Sequence, residues 1–325
     1  MNRTRRHLLS AGLVGGLVRP FAVRASEIFP TRPLRLVVPY GAGGPADIVS
    51  RLVAQRMSEL LGQQIVVVNT PGAGGNLGTA TVARAAADGY TLVVGTSNTL
   101  AANPSLFERL PFDPVNDFAP IGMMFHGASS LSVSANVPAR SVAELVVLIR
   151  RAPREYSFAS GGVGSSGHYS GELFKKLAGV DMTHVPYKGD SAAANDVVAG
   201  QVPVLFANIS NAMQFHEAGK LRVLGVSTAR RVPAFPAIPA IAESLPGFDL
   251  SSWYCLMAPA RTPDAVIARL NGALVDTMKD EAIAGRIVAM GNIPAASTPQ
   301  QVRDLIASDT PKWGALTRQA NIRLE

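Results

Sequence analysis

The chain alternates between two patterns of apolar residues along most of its length. Short runs rich in Val, Ile and Leu, such as LRLVVPY (34–40) and QIVVVN (64–69), have the composition of buried strands. The segment between these two runs, which starts at Pro45 and stops at Gly62, carries apolar residues three and four positions apart. This spacing predicts an amphipathic helix. The order strand, helix, strand predicts βαβ units with parallel strands and right-handed crossovers.

The alternation lapses once, in a proline-spaced connection over residues 104–120. A strand pair is predicted directly after it, over residues 120–136, and a helix follows over residues 141–151. A second α/β series then begins at Tyr156. The chain is predicted to end in three helices, over residues 263–278, 280–290 and 299–320.

Two such series predict an α/β fold with two lobes. The chain is expected to cross between the lobes twice, near residues 125–132 and 249–256. The predicted division assigns residues 1–25 to an export signal, 26–131 together with 252–325 to lobe 1, and 132–251 to lobe 2.

The first 25 residues have the composition of an export signal. A basic start, MNRTRRHLLS, precedes an apolar run, and VRA before Ser26 offers the small residues that a signal peptidase accepts, which predicts cleavage near Ala25. Arg5 and Arg6 resemble a twin-arginine signal, and general secretion stays open as the alternative. An uncleaved anchor is disfavoured, because the apolar run covers roughly half of the ~20 residues that span a bilayer. The predicted location is the periplasm.

Removing the leader changes the charge balance. The full chain has a net charge of +7, but the leader holds five arginines and no acid, so the remainder has a net charge of only +2. A protein this close to neutral does not have the basic footprint of a nucleic-acid partner, and none is predicted.

Signatures of catalysis and of cofactor binding are weak or absent in the sequence. No serine has G-x-S-x-G flanks, no glycine loop is followed by Gly-Lys-Ser/Thr, and the histidines after the leader lack metal-ligating spacing. Residues 162–167 fit G-x-G-x-x-G, but Tyr187 and Lys188 stand where a ribose-binding acid is expected. The single cysteine, Cys255, lies in an apolar run and is predicted to be a buried core residue. We therefore predict no enzymatic activity, no cofactor and no metal.

Three glycine-rich turns each follow a predicted strand and precede a predicted helix. They are the two GAGG segments at 41–44 and 72–75, and SGGVGSSGH at 160–168. Turns in this position direct unpaired backbone N–H groups to the carboxyl edge of the sheet, where a helix N-terminus favours an anion. A tight turn with positive φ is the alternative for any one of them. Their repetition in both lobes predicts an anion-binding cleft. For His168, lining the ligand and capping the helix stay open.

Several long segments together resemble one family. They are PTRPLRLVVPYGAGGPADIV (30–49), GSSGHYSGELFKKLAGVDMTHVPYKG (164–189) and SSWYCLMAPARTPDAVIARLN (251–271), and the likeness runs from about Pro30 to the C-terminus. The chain is similar to the Bug-type solute receptors, the substrate-binding subunits of tripartite tricarboxylate transporters. The resemblance implies a type II periplasmic-binding-protein fold, in which two α/β lobes with two crossover strands surround a ligand cleft. It implies a receptor that binds a small carboxylate without catalysis and delivers it to membrane subunits. We also predict a monomer.

The resemblance also implies which residues line the cleft. The first-lobe loop is Tyr40–Gly44, and the second-lobe loop is Ser160–Ser165. The family holds carboxylates mainly with backbone N–H groups, hydroxyls and bridging waters. The predicted ligand-binding residues are Tyr40, Gly41, Ala42, Gly43, Gly44, Asp47, Ser97, Asn98, Ser160, Gly164, Ser165, His168, Tyr187, Lys188 and Ala207.

Two departures from the family pattern bear on the ligand. Pro203 and Ala207 stand where aspartates are common. If an aspartate at the position of Ala207 usually faces the ligand, its loss favours a more anionic or more apolar ligand. Tight binding of an amino acid through its ammonium group would contradict this hypothesis.

Two other classes of function stay open. One is an exported sensor or interaction protein that gates a partner through the same cleft, and genes for two membrane subunits beside this one would favour transport instead. The other is an exported enzyme, for which a nucleophile and base paired in the cleft would be the signature.

Overall fold

The computed structural model describes residues 29–320 and 322. The predicted export signal and its cleavage near Ala25 lie outside these residues. In the described part of the chain, no helix has both the length and the apolar character needed to cross a membrane.

The first sheet is mixed. Its strands are β1 (Leu34–Val38), β2 (Ile65–Asn69), β3 (Thr91–Thr96), β4 (Phe118–Gly127), β10 (Ser252–Pro259) and β11 (Ile293–Pro294). Their order across the sheet is β11, β4, β10, β3, β1, β2. The strand β1 is parallel to β2 and β3, as the βαβ pattern predicts. The strand β10, which comes from a distant part of the chain, is antiparallel to β3 and β4.

The second sheet repeats this plan. Its strands are β5 (Ser129–Ser134), β6 (Ser157–Ser160), β7 (Thr183–Pro186), β8 (Val204–Asn208) and β9 (Leu221–Val226). Their order is β7, β6, β8, β5, β9. The strand β6 is parallel to β7 and β8, whereas β5 is antiparallel to β8 and β9.

Helices alternate with the strands. They are α1 (Pro45–Leu61), α2 (Asn76–Ala83), α3 (Asn103–Leu106), α4 (Val142–Arg151), α5 (Ser166–Ala178), α6 (Asp190–Val198), α7 (Ile209–Glu217), α8 (Asp264–Lys279), α9 (Glu281–Ala289) and α10 (Pro299–Gln319). A π-helical turn, Asn98–Ala102, links β3 to α3.

The local signals for α1 and α4 are confirmed. The helix α1 begins with Pro45 and ends before Gly62, whose φ of 71° lies in the left-handed region that favours glycine. The helix α4 starts after Ser141, whose side chain accepts a hydrogen bond from the Glu144 N–H. The three C-terminal helices are also confirmed, within one or two residues of the predicted bounds.

The predicted strand pair over residues 120–136 is wrong. The strands β4 and β5 both exist, but β4 pairs with β10 and β11, while β5 pairs with β8 and β9. Only Ala128 separates the two strands, and the chain passes from one sheet to the other there instead of turning back. The helix α7 was not predicted, although Asn208 caps it by accepting from the Ser210 N–H.

We call the first sheet with α1–α3 and α8–α10 lobe 1, and the second sheet with α4–α7 lobe 2. Each sheet packs apolar side chains on both faces, for example Leu36 and Trp253 in lobe 1 and Leu205 and Phe206 in lobe 2. The chain passes between the sheets after β4 and returns between β9 and β10. Cys255 is fully buried, as predicted, and burial raises the pKa of its thiol.

Tyr169 links the two lobes. It belongs to α5 of lobe 2, yet it packs edge-to-face on Trp313 of α10 with ring centroids 4.7 Å apart. Its hydroxyl lies 2.7 Å from Thr317 Oγ1 on the same helix. Helix α5 therefore rests on the C-terminal helix of lobe 1.

Candidate functional site

The first-lobe loop is braced by Asp47, a buried residue in the first turn of α1. The Gly43 N–H donates to Asp47 Oδ2 at 2.9 Å. Asn69 Nδ2 donates to Asp47 Oδ1 at 3.0 Å and to the Tyr40 carbonyl at 3.0 Å, and Arg51 pairs with Asp47 Oδ1 at 2.9 Å. Both carboxylate oxygens are thus engaged by the protein. Asp47 therefore positions the loop through contacts within the protein.

Burial raises the pKa of the Asp47 carboxyl. The hydrogen bonds from Arg51, the Gly43 N–H and Asn69 outweigh that effect, so the pKa lies below its usual value. Asp47 is therefore ionised and balanced by the Arg51 guanidinium at neutral pH.

The backbone N–H groups at the start of α1 face the cleft uncapped. Gly44 is the residue before the helix and no side chain caps it. Gly43 has a φ of 87°, which favours glycine there. The open helix end and its dipole make a site that favours an anion.

Beside this loop, the end of β3 carries a buried hydroxyl without a partner. Ser97 is fully buried, and within the described residues its Oγ has no hydrogen-bond partner. The neighbouring Thr96 Oγ1 lies 2.9 Å from the Tyr40 hydroxyl. Burial raises the pKa of Tyr40 to about 12, with the bond to Thr96 opposing the shift, so Tyr40 stays a neutral donor. Buried polar groups are normally paired, so the unpaired Ser97 hydroxyl is an exception among the described residues.

The second-lobe loop uses most of its polar atoms inside the protein. Ser160 Oγ lies 2.7 Å from His184 Nε2, and Ser165 Oγ donates to Ser160 Oγ at 3.3 Å. Ser165 also caps α5, accepting from the His168 N–H at 3.2 Å. The Gly164 N–H donates to His168 Nδ1 at 3.1 Å, which leaves Gly164 without a free N–H for a ligand.

His168 has a structural position. Its ring is buried and stacks on the His184 ring, with centroids 3.8 Å apart. Burial lowers the pKa of His168 to about 3, and the neighbouring His184 and Lys175 add to the shift. Burial likewise lowers the pKa of His184 to about 4, with Lys175 adding to it. Both imidazoles are therefore neutral at pH 7, and the unprotonated Nδ1 of His168 holds the Gly164 N–H.

The remaining predicted site residues divide into three cases. Tyr187 donates from its hydroxyl to Asp196 Oδ2 at 2.7 Å, so this hydroxyl already has a partner within lobe 2. Lys188 is exposed. Contrary to expectation, Ala207 is fully buried in the apolar core of lobe 2 and offers only its carbonyl oxygen, to Ser130 Oγ at 3.4 Å.

The turn after β3 in lobe 1 contacts the second-lobe loop. Asn98 Nδ2 of lobe 1 donates to the Gly164 carbonyl of lobe 2 at 2.8 Å. Among the predicted site residues, this contact brings Asn98 of lobe 1 against the second-lobe loop.

A cavity of about 640 Å³ opens between the lobes at the N-termini of α1, α6 and α7. Its size is that of an ordinary small-molecule site. Ala42, Gly43 and Gly44 of the predicted set line it. The other lining residues were not predicted, and they are Pro45, Ile48, Gly189, Asp190, Ser191, Ser210, Asn211, Gln214, Met290 and Asn292.

Three polar residues that sequence reasoning missed lie at or near this cavity. Asp190 and Asn292 line the cavity. Tyr254 of β10 lies near Tyr40 and Asp190: burial raises its pKa, and the charges of those two groups raise it further. A tyrosine in an otherwise apolar run at a crossing between lobes was the available signal for Tyr254. Asp190 and Asn292 carried no comparable signal.

Two α/β lobes that meet at a cleft lined by open helix N-termini define a two-lobed solute-binding protein. The residues present offer no grouping of three or more His, Cys, Asp or Glu side chains that could hold a metal within residues 29–320 and 322. The described site is therefore built from backbone N–H groups, hydroxyls, one carboxylate and amides.

Comparisons with known proteins agree with this class. The sequence profile of the tripartite tricarboxylate transporter family receptors matches residues 49–322. The protein BugT of Bordetella pertussis is 32% identical over 303 residues, which cover 93% of this chain and 93% of BugT. The solved structure of R. palustris Rpa4515 with adipate has a TM-score of 0.83 and 35% identity, covering 91% of this chain and all of that one. The periplasmic binding protein BugD has a TM-score of 0.80 and 30% identity over the same shares. The chain belongs to the tripartite tricarboxylate transporter family receptors.

Proposed function

We propose that this protein is a periplasmic receptor that binds a small carboxylate between its lobes and delivers it to the membrane subunits of a tripartite tricarboxylate-type transporter. It acts as a monomer, after cleavage of its leader near Ala25. The proposal follows the family of the chain and the chemistry of its cleft.

The observation that carries the proposal is the cavity between the lobes, which the first-lobe loop and the N-terminus of α1 line on one side and the N-termini of α6 and α7 line on the other. The open N-terminus of α1 and the unpartnered Ser97 hydroxyl lie on the lobe 1 side. A carboxylate there would accept from backbone N–H groups and from Ser97 only while the lobes are shut. Closure is then a shift between two states that the ligand biases through contacts to both lobes.

The relatives support a carboxylate. Rpa4515, which shares 35% identity with this chain, was solved with adipate, a dicarboxylate. Helix N-termini and hydroxyls hold such groups through charge-assisted hydrogen bonds, without the need for an arginine clamp.

One contact in lobe 2 resembles the nucleophile–base pair of an enzyme active site. Ser160 Oγ and His184 Nε2 lie 2.7 Å apart, the spacing of a nucleophile and a base. Ser160 is fully buried, and within the described residues His184 has no ion pair with a carboxylate and donates no hydrogen bond to one. The pair therefore fits a structural role that holds the second-lobe loop, and we propose binding without catalysis.

A thermal-shift screen of residues 26–325, stripped of co-purified ligand, tests the function. A carboxylate at 100 times its Kd should stabilise the fold by about 2.7 kcal/mol. That gain raises the melting temperature by a few degrees. A saturable shift with one acid, absent with its uncharged amide, is the expected result. No shift with any carboxylate would contradict the proposal and favour the sensor or enzyme alternatives.

A further inference from the structure

The cleft contains a carboxylate of its own. Asp190 is the first residue of α6 and lines the cavity between the lobes. Its Oδ2 accepts from the Asn208 N–H at 2.8 Å. Among the ion pairs of the described residues none involves Asp190, and the nearby Lys188 is exposed. Asp190 thus lines the cleft without a positively charged partner among the ion pairs of the described residues.

The surroundings of Asp190 are shaped to bring this carboxylate close to the second-lobe loop. A Cβ atom on Gly161 would lie 2.3 Å from Asp190 Oδ1, so only glycine at that position allows the approach. Burial raises the pKa of Asp190, and the Asn208 N–H and the Asn211 side chain oppose the shift. These neutral donors only partly compensate the charge that burial disfavours.

A second polar side chain in the same cavity has no hydrogen-bond partner in the described residues. Asn292 lines the cavity and is 1% exposed, and within the described residues neither its Nδ2 nor its Oδ1 is hydrogen bonded. Buried amides are normally paired, because an unmade hydrogen bond costs the full desolvation of the group. An amide can accept from one ligand group and donate to another. The cavity is therefore lined by polar residues from both lobes, Asn292 from lobe 1 and Asp190 from lobe 2.

We propose that Asp190 selects a ligand that carries an amino group as well as its carboxylate, with the ammonium hydrogen bonded to the Asp190 carboxylate. The proposal rests on the proposed function and names the substrate class of the same cleft. An ammonium supplies the positive charge that Asp190 lacks and favours its ionised form, whereas a second ligand carboxylate at this place would disfavour that form.

A ligand with an amino group is the opposite of the ligand expected from the sequence at Ala207. The absence of an aspartate at that position was expected to favour a more anionic or more apolar ligand. Ala207 is in the core, and the acid that faces the cavity comes from α6 instead. The alternative is a purely structural role, in which Asp190 only joins α6 to the start of α7 by accepting a hydrogen bond from the Asn208 N–H.

Calorimetric titrations with pairs of acids that differ only by an amino group separate these two roles. Suitable probes are aspartate with succinate, glutamate with glutarate, and 2-aminoadipate with adipate. In the wild-type protein, the amino member of at least one pair should bind about tenfold or more tightly than its partner, the scale of one charged hydrogen bond. In Asp190→Asn, which keeps an oxygen for the Asn208 N–H, that ratio should fall to about twofold or less.

The matched control is Asp264→Asn. Asp264 is also the first residue of a helix, α8, but it is exposed and does not line the cavity, so the ratio should stay as in the wild type. If Asp190→Asn lowers the melting temperature of the unliganded protein, the titrations use Asp190→Ser instead. This variant also keeps an oxygen at the helix start.

Two outcomes overturn the inference and leave the proposed function standing. They are equal binding of both members of every pair by the wild type, and an unchanged ratio in the Asp190 variants. The wild-type comparison needs no variant, so it decides even if the variants fail to fold. Failure of every carboxylate to bind would instead overturn the proposed function.

Discussion

The two lobes hold their glycine loops with the same geometry but with different chemistry. In each loop a glycine N–H donates to the side chain four residues further on: Gly43 to Asp47 at 2.9 Å, and Gly164 to His168 at 3.1 Å. The acceptor is a carboxylate balanced by Arg51 in lobe 1 and a neutral imidazole in lobe 2. The first loop is thus held by a charged brace, the second by an uncharged one.

The difference extends to what each loop leaves for a ligand. In lobe 1 the brace leaves the N-terminus of α1 uncapped and Ser97 unpartnered. In lobe 2, Ser165 caps α5 and Ser160 contacts His184. We infer that the first-lobe loop binds the anion, while the second-lobe loop mainly shapes the cleft. Similar glycine motifs in one chain therefore need not share a role.

Acid should destabilise the protein by protonating His168 and His184, and this is the largest expected effect. The pKa values of His168 and His184 are lowered to about 3 and about 4, from a usual value of 6.5. The unfolded chain then binds more protons than the folded one below pH 6.5, so stability is complete above that pH. It should fall toward pH 4 by about 1.4 kcal/mol per pH unit for each histidine. Chemical denaturation between pH 7.5 and 4.5 measures it.

His184→Phe sharpens this prediction. Phe keeps an aromatic ring between Phe158 and His168 but removes one titrating group. The loss of stability between pH 6.5 and 4.5 should become shallower than in the wild type. An equally steep loss would mean that other groups, not this pair, set the acid sensitivity.

Removal of the Asp47 carboxylate should destabilise the first-lobe loop. Asp47→Ala leaves the Gly43 N–H and the Asn69 amide without their acceptor, and we expect the free energy of unfolding to drop by about 2 kcal/mol. Carboxylate affinity should fall as well, because the loop loses its fixed shape. Urea unfolding and calorimetry measure the two effects, and Asp264→Ala at the exposed start of α8 is the control. Full stability in Asp47→Ala would show that Asp47 does not brace the loop.

A matched pair of serine variants gives the smallest effects and the clearest contrast. Ser97→Ala removes a hydroxyl that has no partner in the described residues, so stability should hold while affinity falls by about 1 kcal/mol. Ser165→Ala removes the cap of α5 and should lower the free energy of unfolding by about 1 kcal/mol. Melting temperature and affinity, measured on both, separate binding from capping. The reverse pattern would assign the ligand to the second-lobe loop.

Signals that are local in the sequence predicted local structure well. Pro45 and Gly62 bounded α1, and the strand and helix periods gave the α/β class. The pairing predicted within residues 120–136 was wrong. The two strands are adjacent in the sequence, but each pairs with strands from distant parts of the chain.

The cleft was harder to predict than the fold. Asp190 and Asn292 are 102 positions apart and lie in different lobes, so only the completed topology brings them to one cavity. The position of Ala207 near the end of β8 suggested the cleft, but its side chain is buried in the apolar core of lobe 2. Which face a side chain takes depends on the partners of its strand, and these are set by contacts far away in the sequence.

The contacts that join the lobes are uncharged or carry one charge only. Asn98 meets the Gly164 carbonyl, Tyr169 meets Thr317, and Lys176 meets Gln319, while no ion pair of the described residues crosses between the lobes. Salt screens attraction between opposite charges and has little effect on amides and hydroxyls. Ionic strength should therefore alter how fast an anion reaches the cleft, but hardly how long the shut lobes retain it.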